Sequence, residues 1–182
     1  MAKQFPALNE NHRAFIARQH LFFVGSAAHE GRVNVSPKGM DSLRIIDDNR
    51  LAWLNITGSG NESAAHVQRQ PRMTLMMCSF DKEPLILRIY GTAREIRPDH
   101  DAWRDLYALF PPTPGVRQIF DMHVDLVQTS CGYGVPYFQY NGERDTLAKW
   151  AEQKGEAAIR DYWREKNTVS IDGEAIAIYE ED

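Results

Sequence analysis

The stretch best suited to chemistry lies between a predicted strand and a predicted helix and reads Asn55-Ile-Thr-Gly-Ser-Gly-Asn-Glu-Ser63. Backbone N–H groups at a helix start lack partners within the helix, and short hydroxyls add further donors, so this arrangement can bind an anion. The P-loop pattern is missing, and so is the third glycine of a dinucleotide fingerprint. The alternative is a plain strand–helix connection capped by Asn61 or Ser59.

A second polar segment is Asn34-Val-Ser-Pro-Lys-Gly39, at the end of a predicted strand. Side chains two residues apart leave a sheet on the same face, so Asn34 and Ser36 point the same way and Lys38 lies where the chain turns. A lysine there offers a positive charge to a phosphate or an anionic substrate. The alternative is a solvated lysine after a strand that ends at Pro37.

A third segment, Ser130-Cys-Gly-Tyr-Gly-Val-Pro-Tyr-Phe-Gln-Tyr140, combines glycines, a proline and four aromatic residues. It can bring backbone and flat rings close to a flat ligand, or it can cover one end of a barrel. Cys131 has no basic neighbour in sequence to lower its pKa, so a catalytic cysteine is not expected. The six histidines show no metal-binding spacing, so no metal site is predicted, and no catalytic residue is assigned.

Composition restricts the function classes. The formal net charge is −4, and no basic face is evident, so we expect no nucleic-acid partner. No apolar run reaches the length of a membrane span, and the N-terminal residues do not read as a secretory signal. The two cysteines, Cys78 and Cys131, are too few for a disulfide framework. We therefore expect a cytoplasmic protein with one domain.

Hydrophobic periodicity predicts a mainly β, α+β protein. Helical spacing occurs at residues 8–20, 61–70, 99–110 and 143–166, and Gly155 suggests that the last helix is divided in two. Seven segments have strand character: residues 20–28, 32–36, 42–46, 50–56, 72–80, 84–97 and 119–128. Closely spaced antiparallel strands with helices at their ends favour a barrel over a doubly wound parallel sheet.

Three stretches follow one another in a characteristic order: HLFFVGSAAHEGRVNVSPKG, LAWLNITGSGNESAAHVQRQPRMTLMM and TSCGYGVPYFQYNGERDTLAKW. The middle stretch is an apolar strand, a polar glycine turn, a helix, and a Pro-Arg entry into the next strand. In this order the three resemble the pyridoxamine 5′-phosphate oxidase-like, FMN-binding split-barrel family. The resemblance covers roughly residues 22–150.

The resemblance implies a six-stranded antiparallel split β-barrel with peripheral helices, built from residues 1–142, and a helical C-terminal extension at residues 143–182. It also implies a homodimer that holds FMN at the interface and acts on a small redox substrate. The residues implied at the cofactor are Asn34, Val35 and Ser36 at the flavin ring; Leu54, Asn55 and Thr57 at the ring and ribityl chain; Asn61, Ser63 and Lys38 at phosphate; and Cys131, Gly132, Tyr133 and Val135 from the partner chain.

Two departures from the family pattern matter. Glu62 stands where family members often carry Arg or Lys, and it would oppose a phosphate unless it points away or pairs with Arg69 or Arg72. The tail at residues 166–175 does not match the substrate motif of the genuine oxidases, so vitamin B6 oxidation is not expected. These departures leave two interpretations: an FMN-dependent oxidoreductase, or a non-catalytic module that binds or senses a flavin, a deazaflavin or heme.

Overall fold

The structure, a computed structural model, describes residues 2–179. In chain order its elements are β1 (Lys3–Phe5), α1 (Glu10–Ile16), β2 (Phe22–Ser26), β3 (Asn34–Lys38), β4 (Leu43–Asp47), β5 (Arg50–Ile56), α2 (Glu62–Val67), β6 (Arg72–Cys78), β7 (Ile86–Ile96), α3 (Trp103–Tyr107), β8 (Val116–Ser130) and α4 (Thr146–Lys166). The mainly β, α+β prediction is confirmed.

The strands form one antiparallel sheet in the order β3-β2-β6-β7-β8-β5-β4, with β1 also paired to β8. Seven strands correspond to the seven predicted segments. The described sheet has eight strands rather than the six that the resemblance implies. The strand that no pattern indicated is β1, because three residues are too few to display an alternation.

The sheet is rolled into a barrel around an aromatic core. Trp53 on β5 stacks on Phe120 of β8, with ring centroids 4.5 Å apart, and both side chains are fully buried. The ring of Phe22 on β2 meets Trp53 edge-on at 6.4 Å, although three strands separate β2 from β5 along the sheet. The roll therefore brings the two halves of the sheet face to face.

Strand alternation divides β5 between two cores. Leu51 and Trp53 point into the barrel, whereas Ala52 and Leu54 belong to a second cluster with Leu106 beneath α3. Successive side chains of a strand face opposite sides, so a strand that is apolar on both faces must be covered twice. This explains why nearly all of β5 is buried.

The helices are shorter than predicted, but their limits have local causes. Asn9 caps α1 through a reciprocal hydrogen-bonded box with His12. In α4, Gly155 adopts φ 73° and ψ 160°, which interrupts the helix and confirms the predicted division. Beyond α4, residues 167–179 form a segment that we call the C-terminal strap.

The strap packs back onto the barrel. Its Ile176 is buried in the main core, and Arg69, just after α2, donates to Ala175 O at 3.1 Å. The last three residues of the predicted extension, 180–182, lie outside the described residues. The division of the chain at residue 142 stays a prediction. Across residues 2–179, no helix has the length and apolarity needed to cross a bilayer.

Two strand glycines give a matched test of the sheet geometry. Gly91 lies at a β-bulge on β7, where an added Cβ would come within 1.9 Å of the carbonyl oxygen of His123. At Gly25 on β2 an added Cβ would make only ordinary contacts with Thr74, 3.7 Å or more away. We expect Gly91→Ala to lower the free energy of unfolding by about 3 kcal/mol, since backbone must shift to admit the methyl group.

Gly25→Ala is the control and is expected to change the free energy of unfolding by less than about 1 kcal/mol. Urea denaturation of the two variants measures both values. Equal stabilities would contradict the close approach of β7 and β8 at the bulge.

Candidate functional site

A polar cavity of about 270 Å³ lies between β3, the end of β5 and the start of α2. Strands β3 and β5 lie far apart along the sheet, and the roll of the barrel brings them together. The cavity is lined by Asn34, Ser36, Lys38, Asn55, Gly58, Ser59, Gly60, Asn61, Glu62, Ser63 and Arg117. Six of these were named from sequence as cofactor-binding candidates: Asn34, Ser36, Lys38, Asn55, Asn61 and Ser63.

Strand β3 supplies one wall because its polar residues alternate. Asn34, Ser36 and Lys38 face the cavity, and Val35 between them is 64% exposed on the opposite side. The amide nitrogen of Asn34 donates to Ser63 Oγ at 3.3 Å, which links β3 to α2. The hydroxyl of Ser36 is buried without a hydrogen-bond partner.

Two cations face this cavity. The guanidinium of Arg117, at the start of β8, is almost completely buried, and burial lowers its pKa to about 10. Burial, and to a smaller extent repulsion by Arg117, lowers the pKa of Lys38 to about 8. Both groups are therefore protonated at neutral pH. In the described part of the chain, neither cation hydrogen-bonds to a carboxylate.

Asn61 provides a further unused donor. Its Oδ1 accepts a hydrogen bond from Gln118 Nε2 at 2.7 Å, while its Nδ2 is buried without a partner. The side chain does not cap α2, so the alternative of a plain capped connection fails for Asn61. Buried polar groups are nearly always paired, and unpaired ones call for an explanation. Asn61 Nδ2 and Ser36 Oγ, beside two cations, suit an anionic ligand such as a phosphate.

The carboxylate of Glu62 is held by the C-terminal strap. It accepts hydrogen bonds from the backbone N–H of Ile171, at 3.1 Å to Oε1 and 3.3 Å to Oε2. Neither arginine that the sequence offered as its partner binds it. Arg69 pairs with Glu174, and Arg72 donates to Ala28 O. A backbone N–H thus holds this carboxylate, which also lines the cavity.

Some predicted residues lie outside the cavity. Leu54 belongs to the second core cluster. The hydroxyl of Thr57 donates to Gly115 O at 2.7 Å and accepts from Trp163 Nε1 at 2.8 Å, so it is already engaged within the chain. The residues expected from a partner chain follow β8 in a loop away from the cavity: Cys131, Gly132, Tyr133 and Val135.

Sequence reasoning missed Arg117 and Gln118. The sequence predicts a proline-rich loop at residues 111–115 and a strand from residue 119, so neither residue falls in a predicted element. The structure starts β8 at Val116, which places Arg117 and Gln118 on the strand and buries both. Within residues 2–179, no cluster of three or more His, Cys, Asp or Glu side chains is arranged to hold a metal ion.

Comparison with known proteins identifies the family. A family model described as pyridoxamine 5′-phosphate oxidase matches residues 8–131. A pyridoxamine 5′-phosphate oxidase family protein of Aspergillus flavus, ustO, is 34% identical over 194 residues, which cover 93% of this chain and 75% of that protein. The chain therefore belongs to the pyridoxamine 5′-phosphate oxidase family, as the resemblance implied.

Solved structures agree on the fold. A candidate pyridoxamine 5′-phosphate oxidase from Lactobacillus delbrueckii matches with a TM-score of 0.55 and 19% identity, covering 68% of this chain and 94% of that one. A variant of HupZ from Group A Streptococcus matches with a TM-score of 0.53 and 18% identity, covering 67% of this chain and 98% of that one. At such identities the likeness concerns the fold alone.

The charges of Lys38 and Arg117 lead to a prediction of how phosphate affinity depends on pH. Lys38 is expected to titrate near pH 8, and Arg117→Gln should raise this pKa by removing a repulsive charge. Because burial is the larger cause, the pKa should stay below the ordinary value of 10.5. Affinity for inorganic phosphate should fall as the pH rises through about 8, where Lys38 loses its charge.

NMR titration of the lysine ε-methylene signals measures the Lys38 pKa in each variant. Arg104→Gln removes one charge from an exposed position of α3 that does not line the cavity. It should leave the Lys38 titration unmoved. A Lys38 that titrates at its ordinary value would contradict the burial of this group.

Proposed function

We propose that this protein binds FMN, with the phosphate in the cavity and the ring at a homodimer interface, and serves as an oxidoreductase for a small-molecule substrate. One observation carries the proposal: two protonated cations and two unpaired buried donors converge on one cavity. These are Lys38 and Arg117, together with Ser36 Oγ and Asn61 Nδ2.

The two cations at the cavity favour a phosphate monoester as the ligand. Such a group carries about −1.5 to −2 charges at pH 7 and offers three acceptor oxygens. Lys38 and Arg117 would supply positive charge to the phosphate beside the carboxylate of Glu62, and the hydroxyl of Ser36 would donate to one of the oxygens. Burial strengthens these contacts, since hydrogen bonds to charged groups contribute more where water is excluded.

The cavity size argues that the flavin ring lies outside it. At about 270 Å³, the space falls below the range of about 300–1,000 Å³ that encloses a drug-sized ligand. It suits the phosphate and part of the ribityl chain. The ring would then need a second surface to cover it.

We assign that second surface to another copy of this chain. In the loop after β8, Tyr133, Tyr137 and Phe138 are 81%, 76% and 67% exposed. Three solvent-exposed aromatic side chains are an unusual number for one short segment. From the partner, this loop would place Cys131, Gly132, Tyr133 and Val135 against the ring. Flat aromatic side chains and glycine backbone suit the face of a flat ligand.

When bound, FMN would supply hydride transfer, and the protein would supply position and electrostatics. Lys38 and Arg117 would hold the phosphate end. Residues 166–175, which lack the substrate motif of the genuine oxidases, belong largely to the strap that engages α2. We therefore expect a substrate other than pyridoxamine 5′-phosphate.

Cofactor binding can be tested by its dependence on the phosphate. The protein is expected to bind FMN more tightly than riboflavin, which has the same ring without the phosphate. Lys38→Met should weaken FMN binding about tenfold or more, as expected for a lost hydrogen bond to a charged group. It should leave riboflavin binding nearly unchanged. Quenching of flavin fluorescence measures both affinities.

Lys82→Met removes the same charge from an exposed loop between β6 and β7 and serves as the control. It should alter neither affinity. Equal affinities of the parent protein for FMN and riboflavin would reject the phosphate assignment.

Redox activity needs its own measurement. The FMN-loaded protein should show a flavin spectrum that a nicotinamide donor bleaches under anaerobic conditions and that oxygen restores. Sedimentation of the same sample should give the mass of two chains. Flavin that dithionite reduces but no nicotinamide donor bleaches would instead favour the non-catalytic binding module.

A further inference from the structure

The cation Arg117 is held by neutral groups from three parts of the chain. Its Nε donates to Gln118 Oε1 at 3.0 Å, and its Nη1 donates to Gly60 O at 3.2 Å and to Asn167 Oδ1. These acceptors fix the guanidinium without neutralising it. Burial lowers the pKa of this guanidinium, Glu95 and Tyr162 act to raise it, and Lys38 and Arg117 repel each other.

Asn167 is placed to set this geometry. It is completely buried at the end of α4, and its backbone N–H closes the helix on Trp163 O at 2.8 Å. Its Nδ2 donates to Gly58 O at 3.2 Å, while its Oδ1 accepts from Arg117. Arginine can only donate and a carbonyl can only accept, so these two partners determine the orientation of the amide.

We propose that Asn167 is a positioning residue for the cofactor phosphate. It holds Arg117 next to the loop that contains Gly58 and Gly60, so that the C-terminal extension completes the anion cavity. This inference rests on the proposed function, and it gives the extension a role at the site. Both residues joined by the amide, Gly58 and Arg117, line the cavity, whereas Asn167 does not.

The hydrogen-bonding capacity of an amide explains why asparagine suits position 167. An aspartate of the same shape could not donate to Gly58 O, and its carboxylate would neutralise Arg117. A leucine would remove the donor to Gly58 O and one of the three acceptors of Arg117. Only a neutral side chain that both donates and accepts keeps the loop closed and leaves the guanidinium charge available to an anion.

The neighbouring contacts of the extension act on the same region. Trp163 Nε1 donates to the hydroxyl of Thr57, the residue just before Gly58. Ile171 N–H holds the carboxylate of Glu62. Asp172 accepts from the backbone N–H of Arg32 at 2.7 Å, close to the start of β3. Three walls of the cavity are therefore tied to one C-terminal element.

Asn167→Asp tests the inference. We expect the variant to lose about tenfold or more in FMN affinity, because Arg117 would be paired within the protein. Riboflavin affinity should change by less than about twofold, since riboflavin has no phosphate through which the substitution could act on it. A general loss of structure would weaken both flavins alike, so the ratio of the two affinities separates positioning from stability.

A second readout needs no flavin. A carboxylate at position 167 should offset the field of Arg117, so the pKa of Lys38 should rise above its value in the parent protein. Asn11→Asp makes the same charge change at an exposed position of α1 that does not line the cavity. It should move neither the affinity ratio nor the Lys38 titration.

If Asn167→Asp does not fold, Asn167→Ala decides: a selective loss of FMN affinity supports the proposal, and an unchanged ratio overturns it. The outcomes also distinguish a failure of the proposed function from a failure of the role of Asn167. A parent protein that does not prefer FMN to riboflavin rejects the proposed function. If the parent protein prefers FMN and the Asn167→Asp variant keeps that preference, only the role of Asn167 is rejected.

Discussion

The roll of the sheet around Trp53 and Phe120 is the constraint on which the rest of the molecule depends. The two stacked rings lie on the neighbouring strands β5 and β8, and Phe22 meets Trp53 edge-on from β2, which three strands separate from β5. Without that packing, β3 and β5 would lie at distant positions of an open sheet. The cavity, whose walls come from both strands, exists only because the core holds the sheet curved.

A cost in free energy accompanies the site. Removing an arginine from water is unfavourable unless its hydrogen bonds are replaced, and replacement by neutral acceptors restores only part of the lost hydration. The chain accepts this cost at Arg117, where a carboxylate partner would have favoured folding more. Sites built for a ligand often show this imbalance.

Local pattern was sufficient for the strands and for half of the site. Alternation identified seven strands, and polar residues on β3 and after β5 indicated six residues that now line one cavity. Arg117 was not found, because an arginine after a proline-rich loop normally lies on the surface, and its burial is a property of tertiary packing. The partner of Glu62 lies 109 residues further along the chain, a distance over which no sequence spacing is informative.

The edges of the sheet carry a further consequence. The path ends at β3 on one side and at β4 on the other, and each of these two strands contains an irregularity. Pro37 deprives β3 of one donor, and a bulge between Ile45 and Asp47 disturbs β4. The proline and the bulge make β3 and β4 poorer templates for open-ended strand addition by another chain.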